Sequence, residues 1–471
     1  MTAPPPGRPG SWVASRLGVR LTDGARPAGV GLADLVGLAV RRNPRRAHLL
    51  VSAVLGKHVP TDPRLVYGAG LLLGELVRAR LRGEDAPQPG SLLADALRGL
   101  PGTATRLRDL MRAPQVPVEA VVLGYAETAT ALGHSVADAL GGAYYLHSTR
   151  RPVAGFAAYG GFEEEHSHAT SHLLLPADSA ALDRDVPAVL VDDELSTGRT
   201  VLNTIEALHA VHPRSRYVLA ALVDLRGPED RARMDDLAAR LGTRIDAVAL
   251  AAGHVDLPGG ILEAGKALVA GLSARAAPFE EPFEEPFEEP GAFPVARADL
   301  EWPAGLPDGG RHGFLPEHRS RLEKDLPRMA DALSAGLGAT GLGAGAARVL
   351  VLGFEELMYA PLRLAETLAD TLPDADVRYS TTTRSPVLAV DDPGYAIRTR
   401  LAFPAHDDPA DGPGERYAYN VVPPAGQDGY DRIVLVVDDA GDTPALARGL
   451  LERLRALAPV LVAAVPAWRG M

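Results

Sequence analysis

Short apolar runs alternate with amphipathic segments along the first 275 residues of the chain. Runs with the length and composition of buried strands, bounded by turn residues, lie at 47–55, 120–123, 143–146, 172–175, 188–191, 217–223 and 245–250. Segments with helical spacing lie at 63–81, 128–140, 198–211 and 228–241. Strands that alternate with helices of this length are typical of βαβ units. We therefore predict an α/β fold with a mostly parallel sheet and helices on both faces.

Residues 276–300 interrupt this alternation and divide the chain. They contain Pro-Phe-Glu-Glu three times within 278–289. Repeated proline and clustered glutamate cannot bury a core, so we predict an extended, self-repelling linker. This linker separates a first domain at 1–275, with its core at about 45–255, from a second, Rossmann-like α/β domain at 301–471.

Composition excludes several classes of protein. The 471 residues include no cysteine, which rules out disulfides, thiolate metal sites and a cysteine nucleophile. The net charge of −12 argues against broad binding to nucleic acids or anionic membranes, because both need a basic face. No apolar run approaches the roughly 18–20 residues of a membrane span, and the N-terminus lacks the layout of a signal peptide. We therefore expect a cytoplasmic protein that binds neither nucleic acid nor membranes.

The most specific chemical pattern of the chain is a strand, two acids and a small-residue turn in succession. The strand ends in Asp192 and Asp193, and Ser196, Thr197 and Gly198 open the next helix. Hydroxyls and backbone N–H groups at a helix N-terminus form a cradle for a phosphate group. The two carboxylates would repel that phosphate unless they face something else, and vicinal ribose hydroxyls are the economical choice. The alternative is an acidic strand end followed by an ordinary Ser/Thr helix cap.

This succession resembles the motif that binds 5-phosphoribosyl-1-diphosphate (PRPP) in type I phosphoribosyltransferases. Neighbouring segments resemble that family in the same order. Residues 55–59 lie where such enzymes have their diphosphate loop, residues 147–151 lie where orotate-type members carry a basic pair, and residues 162–168 fall in the mobile catalytic loop.

A narrower resemblance covers nearly the whole chain. Residues 124–134 and the Glu-Glu-His-Ser-His of 164–168 resemble an orotate-phosphoribosyltransferase-like family found in bacterial tellurium-resistance and stress operons. Trp302, the Gly-Gly-Arg-His-Gly of 309–313 and the Thr-Arg-Ser-Pro of 383–386 resemble the C-terminal TRSP domain that is characteristic of that family.

The resemblance implies a type I phosphoribosyltransferase-like sheet and a Mg²⁺-dependent enzyme that joins PRPP to a nucleobase-like acceptor and releases diphosphate. It further implies a nucleoside-like metabolite pathway linked to stress or tellurite resistance. The residues that it assigns to catalysis are Lys57, Arg150, Arg151, His166 and His168. Those that it assigns to PRPP binding are Gly56, His58, Asp192, Asp193, Ser196, Thr197, Gly198, Arg199 and Thr200. Mg²⁺ would bridge diphosphate and ribose oxygens of PRPP, with Asp192 and Asp193 as further contacts.

PRPP carries a phosphate and a diphosphate, so an acidic protein must supply positive charge in the loops that contact it. The basic residues of those loops are Lys57, His58, Arg150, Arg151 and Arg199.

Glu127 and Tyr125 closely follow a predicted strand, and we expect both at the rim of the site. Glu127 would orient the acceptor or a metal-bound water; alternatively, it is a helix N-terminal carboxylate that the helix dipole favours. Tyr125 and Tyr67 are candidates for stacking on the acceptor. His134 is expected to cap its helix or pack on it.

Several alternatives stay open. The histidines at 166, 168 and 172, with the glutamates of 163–165, could ligate a divalent metal. The chain could also be a PRPP- or nucleotide-sensing module, or a scaffold in a stress-response assembly, that binds without turnover. As partners we expect PRPP and a small base, with a homodimer and stress-operon proteins as further expectations.

The second domain repeats three segments of the first in the same order. The repeated pairs are 122–127 with 351–356, 148–153 with 382–387, and 190–193 with 436–439. The second copy lacks the cradle, since Ala-Gly-Asp-Thr-Pro follows its acids. We therefore expect a companion domain that shapes the acceptor pocket, forms a partner surface or holds a second ligand. Its candidate functional turns carry Arg311, His312 and Arg384.

Overall fold

The computed structural model describes residues 9–41, 46–113, 115–150, 153, 155–162, 172–275, 292–339, 347–406 and 414–468, with the side chains of 160–162 and 273–275 left aside. Three of the predicted site residues, Arg151, His166 and His168, lie outside the described residues, as does most of the predicted linker. Within the described part, no helix has the length and apolarity needed to cross a membrane.

The N-terminal part (9–275) alternates strands and helices largely as predicted. Its strands are β1 (Arg20–Asp23), β2 (Val36–Val40), β3 (His48–Ser52), β4 (Val121–Gly124), β5 (Tyr144–His147), β6 (Gly160–Phe162), β7 (His172–Leu174), β8 (Ala188–Leu195), β9 (Arg216–Asp224) and β10 (Arg244–Asp256). Its helices are α1 (Ser11–Leu17), α2 (Leu32–Leu35), α3 (Pro63–Arg82), α4 (Leu92–Leu97), α5 (Thr103–Met111), α6 (Thr130–Leu140), α7 (Arg199–Val211), α8 (Pro228–Leu241) and α9 (Ile261–Arg275).

The main sheet of this part has the strand order β1-β10-β9-β8-β4-β5. Neighbouring strands are parallel, except that β1 pairs antiparallel with β10 at the edge. Successive side chains point to opposite faces of the sheet, and both faces are covered. In β8, Val189 and Val191 share a core with residues of α3 and α6, whereas Leu190 packs with Val201 and Ile205 of α7. The predicted parallel sheet with helices on both faces is confirmed.

The C-terminal part (292–468) contains a second parallel sheet, as expected for a Rossmann-like α/β unit. Its strands are β11 (Val295–Ala298), β12 (Arg348–Gly353), β13 (Asp376–Thr381), β14 (Arg400–Pro404), β15 (Glu415–Tyr419), β16 (Arg432–Asp438) and β17 (Val460–Val465). Its helices are α10 (Pro316–Ala339), α11 (Tyr359–Thr371), α12 (Pro444–Leu446) and α13 (Glu452–Arg455), the last two joined by a π turn at Ala447–Leu451. The sheet order is β11-β17-β16-β12-β13, with β14 and β15 forming a separate antiparallel pair.

Strand β11 corrects the predicted end of the linker. Its residues fall within 276–300, yet they pair in parallel with β17. Arg297 of this strand also pairs with Asp442 at 2.6 Å. An edge strand needs backbone partners more than a long apolar pattern, which is why the sequence did not indicate it.

The two sheets correspond strand for strand over four positions. Strands β9, β8, β4 and β5 lie in the same order as β17, β16, β12 and β13. Helices α6 and α11 join equivalent strands, and the three repeated sequence segments lie at equivalent strand ends. Strand β11 takes the position of β10, although it comes first in its part of the chain rather than last. The two parts are therefore two versions of one layout.

Helices α3, α6, α10 and α11 lie between the sheets and contribute to one core. At its polar centre, Asp138 of α6 accepts hydrogen bonds from the hydroxyls of Tyr67 at 2.8 Å and Tyr359 at 2.6 Å, and it pairs with Arg319. The buried Arg363 guanidinium lies over the Tyr67 ring, 4.1 Å from its centroid. Tyr67 is therefore committed to this interface, which contradicts the expectation that it stacks on an acceptor.

Candidate active site

Strand β8 carries the two predicted carboxylates to the carboxyl edge of the sheet, where ligands bind in parallel α/β folds. The strand continues past its predicted end at residue 191, because Asp192, Glu194 and Leu195 pair with β9. The Asp192 carboxylate accepts a hydrogen bond from the Asp193 N–H at 2.9 Å. Burial and the neighbouring Glu194 carboxylate raise the pKa of Asp193. A cation beside this pair would therefore lower the cost of keeping both acids ionised.

The turn after β8 opens α7 without a side-chain cap on the helix N-terminus. Gly198 at the N-cap has φ 74°, a left-handed conformation that glycine adopts readily. The Thr197 hydroxyl accepts a hydrogen bond from the Arg199 N–H at 3.4 Å. The first turn of this 13-residue helix thus directs backbone N–H groups toward the strand edge, in the arrangement that the predicted phosphate cradle requires.

Lys57 reaches the same edge from the loop after β3. Its side chain is 7% exposed, and Nζ lies 3.3 Å from Glu127 Oε2. Nζ also donates a hydrogen bond to the Thr128 hydroxyl at 2.8 Å. The positive charge of Lys57 lowers the pKa of Asp193 and so partly offsets the effects that raise it. The Lys57 charge therefore acts on Asp193 as well as on Glu127.

The two neighbours of Lys57 have structural roles in the loop. Gly56 has φ 77°, and a Cβ at this position would lie 2.5 Å from the Tyr379 ring. Burial, followed by the charge of Lys57, lowers the pKa of His58 well below its usual value. His58 therefore carries no positive charge near neutral pH, and its ring packs 5.6 Å from that of Tyr419. The surroundings of His58 in this structure therefore favour its neutral form, and its role in PRPP binding stays a prediction.

The sequence predicted Glu127 at the rim of the site. In the structure it lies inside a charged cluster that it forms with Lys57 and Arg384. It is 7% exposed, accepts a hydrogen bond from the Thr383 hydroxyl at 2.9 Å, and lies 3.3 Å from Arg384 Nε. Burial opposes its ionisation, but the charges of Lys57, Arg384 and Arg150 outweigh burial and hold the pKa of Glu127 below its usual value. Its carboxylate is thus an ionised link among three cations.

The residues after β5 approach the same cluster. The Ser148 hydroxyl accepts a hydrogen bond from the Ala126 N–H at 3.0 Å and lies 2.8 Å from His172 Nδ1. Arg150 Nη2 lies 3.4 Å from His172 Nε2, and the Arg150 N–H donates to Glu356 Oε1 at 3.3 Å. Of the predicted basic pair, Arg150 therefore approaches the cluster, and its charge acts on Glu127, whereas Arg151 is outside the described residues.

Over the described ranges, no three His, Asp or Glu side chains form a group that could hold a metal ion. The alternative metal site predicted from the histidines at 166, 168 and 172 depends mainly on residues outside those ranges. Only His172 of that set is described, and its ring contacts Ser148 and Arg150.

Two aromatic side chains lie in packed surroundings. The sequence predicted Tyr125 at the rim of the site. In the structure it is 4% exposed and shares a core with Leu190 and Ile205 beneath α7 instead. His134 stacks on Tyr359 with ring centroids 3.9 Å apart and planes 4° from parallel. His134 was predicted to cap or pack on its own helix; it does pack, but against rings of other elements, including Tyr359 of α11.

The C-terminal part supplies contacts that reasoning about the first domain missed. The Thr-Arg pair at 383–384 contacts the buried glutamate described above. The Ser380 hydroxyl donates to the Gly56 carbonyl at 2.7 Å, and the Asn420 amide donates to the His58 carbonyl at 2.8 Å. The one sequence signal for these contacts is the repeated Thr-Arg segment, because nothing local to the first domain indicates them.

The equivalent turn after β16 is closed by its own groups. The Asp438 carboxylate accepts a hydrogen bond from the Gly441 N–H at 2.6 Å, and the Thr443 hydroxyl accepts one from the Leu446 N–H at 3.2 Å. His406 packs on the turn, with Nδ1 3.0 Å from the Gly441 carbonyl oxygen. The N–H groups of Gly441 and Leu446 therefore already have hydrogen-bond partners within this turn. The predicted cradle after β8 would instead offer such groups to a phosphate.

Two family matches cover most of the chain. Residues 35–254 match a family described as phosphoribosyl transferase, and residues 308–454 match the TRSP domain, described as C-terminal to that transferase domain. The chain therefore carries a phosphoribosyltransferase domain followed by a TRSP domain. The resemblance found in the sequence is thereby confirmed for both domains. In this phosphoribosyltransferase the charged cluster combines Lys57 and Glu127 of the transferase domain with Arg384 of the TRSP domain.

The phosphoribosyltransferase is also similar to solved structures. The APRTase from Giardia lamblia complexed with 9-deazaadenine is 21% identical, with 34% of this chain and 85% of that chain covered and a TM-score of 0.24. The adenine phosphoribosyltransferase from Trypanosoma brucei, in complex with AMP, pyrophosphate and ribose-5-phosphate, is 15% identical, with coverage of 30% and 60% and a TM-score of 0.23. The adenine phosphoribosyltransferase from Rhodothermus marinus is 21% identical, with coverage of 32% and 81% and a TM-score of 0.22. A comparison with curated proteins found no match.

Proposed function

We propose that the protein transfers the phosphoribosyl group of PRPP to a nucleobase-like acceptor and releases diphosphate in a Mg²⁺-dependent reaction. The match to the family supports PRPP-dependent transfer in general. The observation that carries the finer proposal is the turn after β8, where Asp192 and Asp193 stand next to a helix N-terminus without a side-chain cap. A phosphoribosyl group offers the two complementary features, hydroxyl donors and a phosphate, side by side.

In this proposal, the turn at 196–200 holds the 5′-phosphate, and Asp192 and Asp193 accept hydrogen bonds from ribose hydroxyls. Lys57, which contacts Glu127, and Arg150, whose charge lowers the pKa of Glu127, meet the diphosphate. Transfer breaks the bond from C1 to the diphosphate, whose oxygen keeps the electron pair, and forms a bond from C1 to an acceptor nitrogen, which loses its proton. A buried cation beside the departing diphosphate stabilises the charge that develops there.

The donor set at the end of β8 fits Mg²⁺. Asp192 and Asp193 supply carboxylate oxygens, which this cation prefers, and the raised pKa of Asp193 marks a buried acid that gains from a nearby cation. These residues would hold the ion together with PRPP oxygens. When bound, the ion would supply positive charge that neutralises the diphosphate.

The acceptor side is formed by the N-terminal segment. Arg46, before β3, pairs with Glu194 at the end of β8 at 2.7 Å, which ties this segment to the turn that we assign to PRPP. Burial, followed by the charge of Arg46, lowers the pKa of His48 to about 4, so this side chain is neutral near pH 7. The sequence resemblance to tellurium-resistance and stress operons supports a nucleoside-like product.

The proposal is tested with the full chain in two steps. PRPP is titrated calorimetrically with Mg²⁺ and again with a chelator, and a panel of purine, pyrimidine and orotate-like bases is then assayed for diphosphate release. We expect Mg²⁺-dependent binding and release that depends on one class of base. Binding without release for every base would favour the sensing module, and no PRPP binding would contradict both functions.

A further inference from the structure

The transferase and TRSP domains exchange equivalent contacts at their strand ends. Glu127, after β4, accepts a hydrogen bond from the Thr-Arg pair at 383–384 and forms an ion pair with it. Glu356, after β12, accepts hydrogen bonds from the Thr-Arg pair at 149–150, at 2.9 Å from the threonine hydroxyl and 3.3 Å from the arginine N–H. In each direction, the glutamate of one repeat contacts the Thr-Arg pair of the other. Two subunits of a two-fold dimer exchange contacts in the same reciprocal way.

The TRSP domain also holds the loop that carries Lys57. Ser380 and Asn420 donate hydrogen bonds to the backbone carbonyls of this loop at 2.7 and 2.8 Å. Just beyond it, Thr61 and Tyr379 exchange two backbone hydrogen bonds of 3.0 and 2.8 Å. The lysine and the glutamate of the cluster are thus both supported by the TRSP domain.

We infer that the TRSP domain acts as a built-in partner subunit, and that Thr383 and Arg384 are positioning residues of the transferase site. They fix the carboxylate of Glu127 and, through it, the ammonium group of Lys57. The inference rests on the proposed function for the identity of the ligand, a diphosphate, and on the observed contacts for the positioning itself.

A chain of alternating buried charges explains the need for Arg384. Lys57, Glu127, Arg384, Glu355 and Arg416 follow one another, and each charged group lies within 3.3 Å of the next. Because Arg384 attracts the Glu127 carboxylate from the side away from Lys57, that carboxylate does not belong to Lys57 alone. Without Arg384, only Lys57 and Arg150 would balance the Glu127 carboxylate, which would leave less positive charge for an anionic ligand.

Among the described residues of the TRSP domain, the reciprocal contact is not accompanied by an equivalent site. Glu356 pairs with Arg311 of its own domain at 3.2 Å, and the turn after β16 is closed as described above. The two halves of this approximately symmetric arrangement are therefore not equivalent. The described residues form one candidate site, in the transferase domain, and the TRSP domain supplies contacts that hold its residues in place.

The first test measures hydrogen–deuterium exchange without ligand in the full chain. It compares Arg384→Gln and Arg384→Lys with the control Arg319→Gln, because Arg319 also makes a buried ion pair between the domains, but to Asp138 in the helix layer. We expect Arg384→Gln to raise exchange several-fold in the segments 55–60 and 124–129. Arg384→Lys should restore most of the protection, and Arg319→Gln should leave both segments unchanged.

The second test measures the pH dependence of PRPP–Mg²⁺ affinity and of turnover. Burial raises the pKa of Glu127 and the neighbouring cations lower it, so the loss of Arg384 should raise it and move the acidic limb of the profile to higher pH. At neutral pH we expect kcat to fall roughly 10- to 100-fold, because a misplaced group at the reacting centre costs up to about 10²-fold, with a smaller change in the Kd for PRPP.

Unchanged exchange in both segments, or an acidic limb that moves as far in Arg319→Gln, would overturn the inference. A wild-type protein that does not bind PRPP would contradict the proposed function instead, and the exchange measurement would still decide the positioning. If Arg384→Gln does not fold, Thr383→Val removes the hydroxyl that donates to Glu127 and accepts from the Ser385 N–H, and the same two measurements then apply.

Discussion

The turns after β8 and β16 begin with equivalent strands and the same pair of acids, but they end differently. After β8, Ser-Thr-Gly leaves the N-terminus of α7 without a side-chain cap. After β16, the carboxylate of Asp438 takes up the Gly441 N–H, Thr443 caps the next helix, and Pro444 lacks an N–H altogether. We therefore propose that the capacity to bind an anion depends on which N–H groups the turn itself satisfies, and not on the topology that the two turns share.

The largest expected effect comes from removing the charges of the acids after β8. Asp192→Asn with Asp193→Asn should raise the Kd for PRPP by roughly 100-fold or more, because two charge-assisted hydrogen bonds are lost. The matched control is Asp438→Asn with Asp439→Asn, which should leave the Kd within about two-fold. Calorimetry gives both values, and circular dichroism checks that both variants are folded. An equal loss in the two variants would show that the turns do not differ in function.

Lys57→Gln should act mainly on turnover. Removing a buried cation beside the departing diphosphate should lower kcat by on the order of 10²-fold, with only a few-fold change in the Kd for PRPP. Lys324→Gln, at an exposed position of α10, is the control and should change neither value. Steady-state kinetics and calorimetry separate the two effects. A Kd that rises as much as kcat falls would make Lys57 a ground-state binding group.

The threonines of the two turns should respond in opposite ways. Thr197→Val should raise the Kd for PRPP about ten-fold, because its hydroxyl is assigned to the ligand, and should change the free energy of unfolding less than Thr443→Val does, because the hydrogen bond that it accepts from the Arg199 N–H is long, at 3.4 Å. Thr443→Val should leave the Kd unchanged and lower the free energy of unfolding by about 1 kcal/mol, because its hydroxyl caps a helix. Chemical denaturation measures the second quantity. The contrast would fail if Thr197→Val lost as much stability as Thr443→Val, or if Thr443→Val lost affinity.

The smallest effect is expected from the linker. The segment 277–292 is rich in proline and glutamate, and we propose that the contacts between the domains, rather than this segment, set their arrangement. Replacement by a Gly/Ser sequence of the same length should keep the Tm and the Kd for PRPP within error. A Tm several degrees lower would mean that the repeat packs on one of the domains.

Elements with local signals could be predicted from the sequence. Helix α8 has the predicted bounds 228–241, with Pro228 in its first turn and Gly242 after its end, which are signals that need no tertiary contact. Strand β1 was not predicted, because it has four residues and pairs with β10 at the far end of the domain. Strand β8 runs beyond its apolar residues because β9 continues beside it, and a polarity pattern does not contain that information.

The site divides in the same way. The acids and the turn after β8 could be found because they are contiguous in the sequence. The burial of Glu127 and of Tyr125 could not be found from the sequence, because it depends on distant parts of the chain. The TRSP domain packs over Glu127, and α7 packs over Tyr125. The contact of Arg384 with Glu127 exists only when the two domains are docked. The repeat had singled out this arginine, but it gave no indication of the partner.

The place of β11 determines how the TRSP domain can be cut from the chain. The family match for this domain ends at residue 454 and begins at residue 308, so it leaves out both β11 and β17. A fragment with those limits would turn β16, a strand with buried residues such as Ile433 and Val437, into an open edge. Open apolar edges are templates for pairing with other chains and lead to aggregation. In the full sheet, the edge strand next to β17 is β11, a short strand with exposed positions. A fragment of residues 292–468 includes both β11 and β17 and therefore keeps β16 inside the sheet.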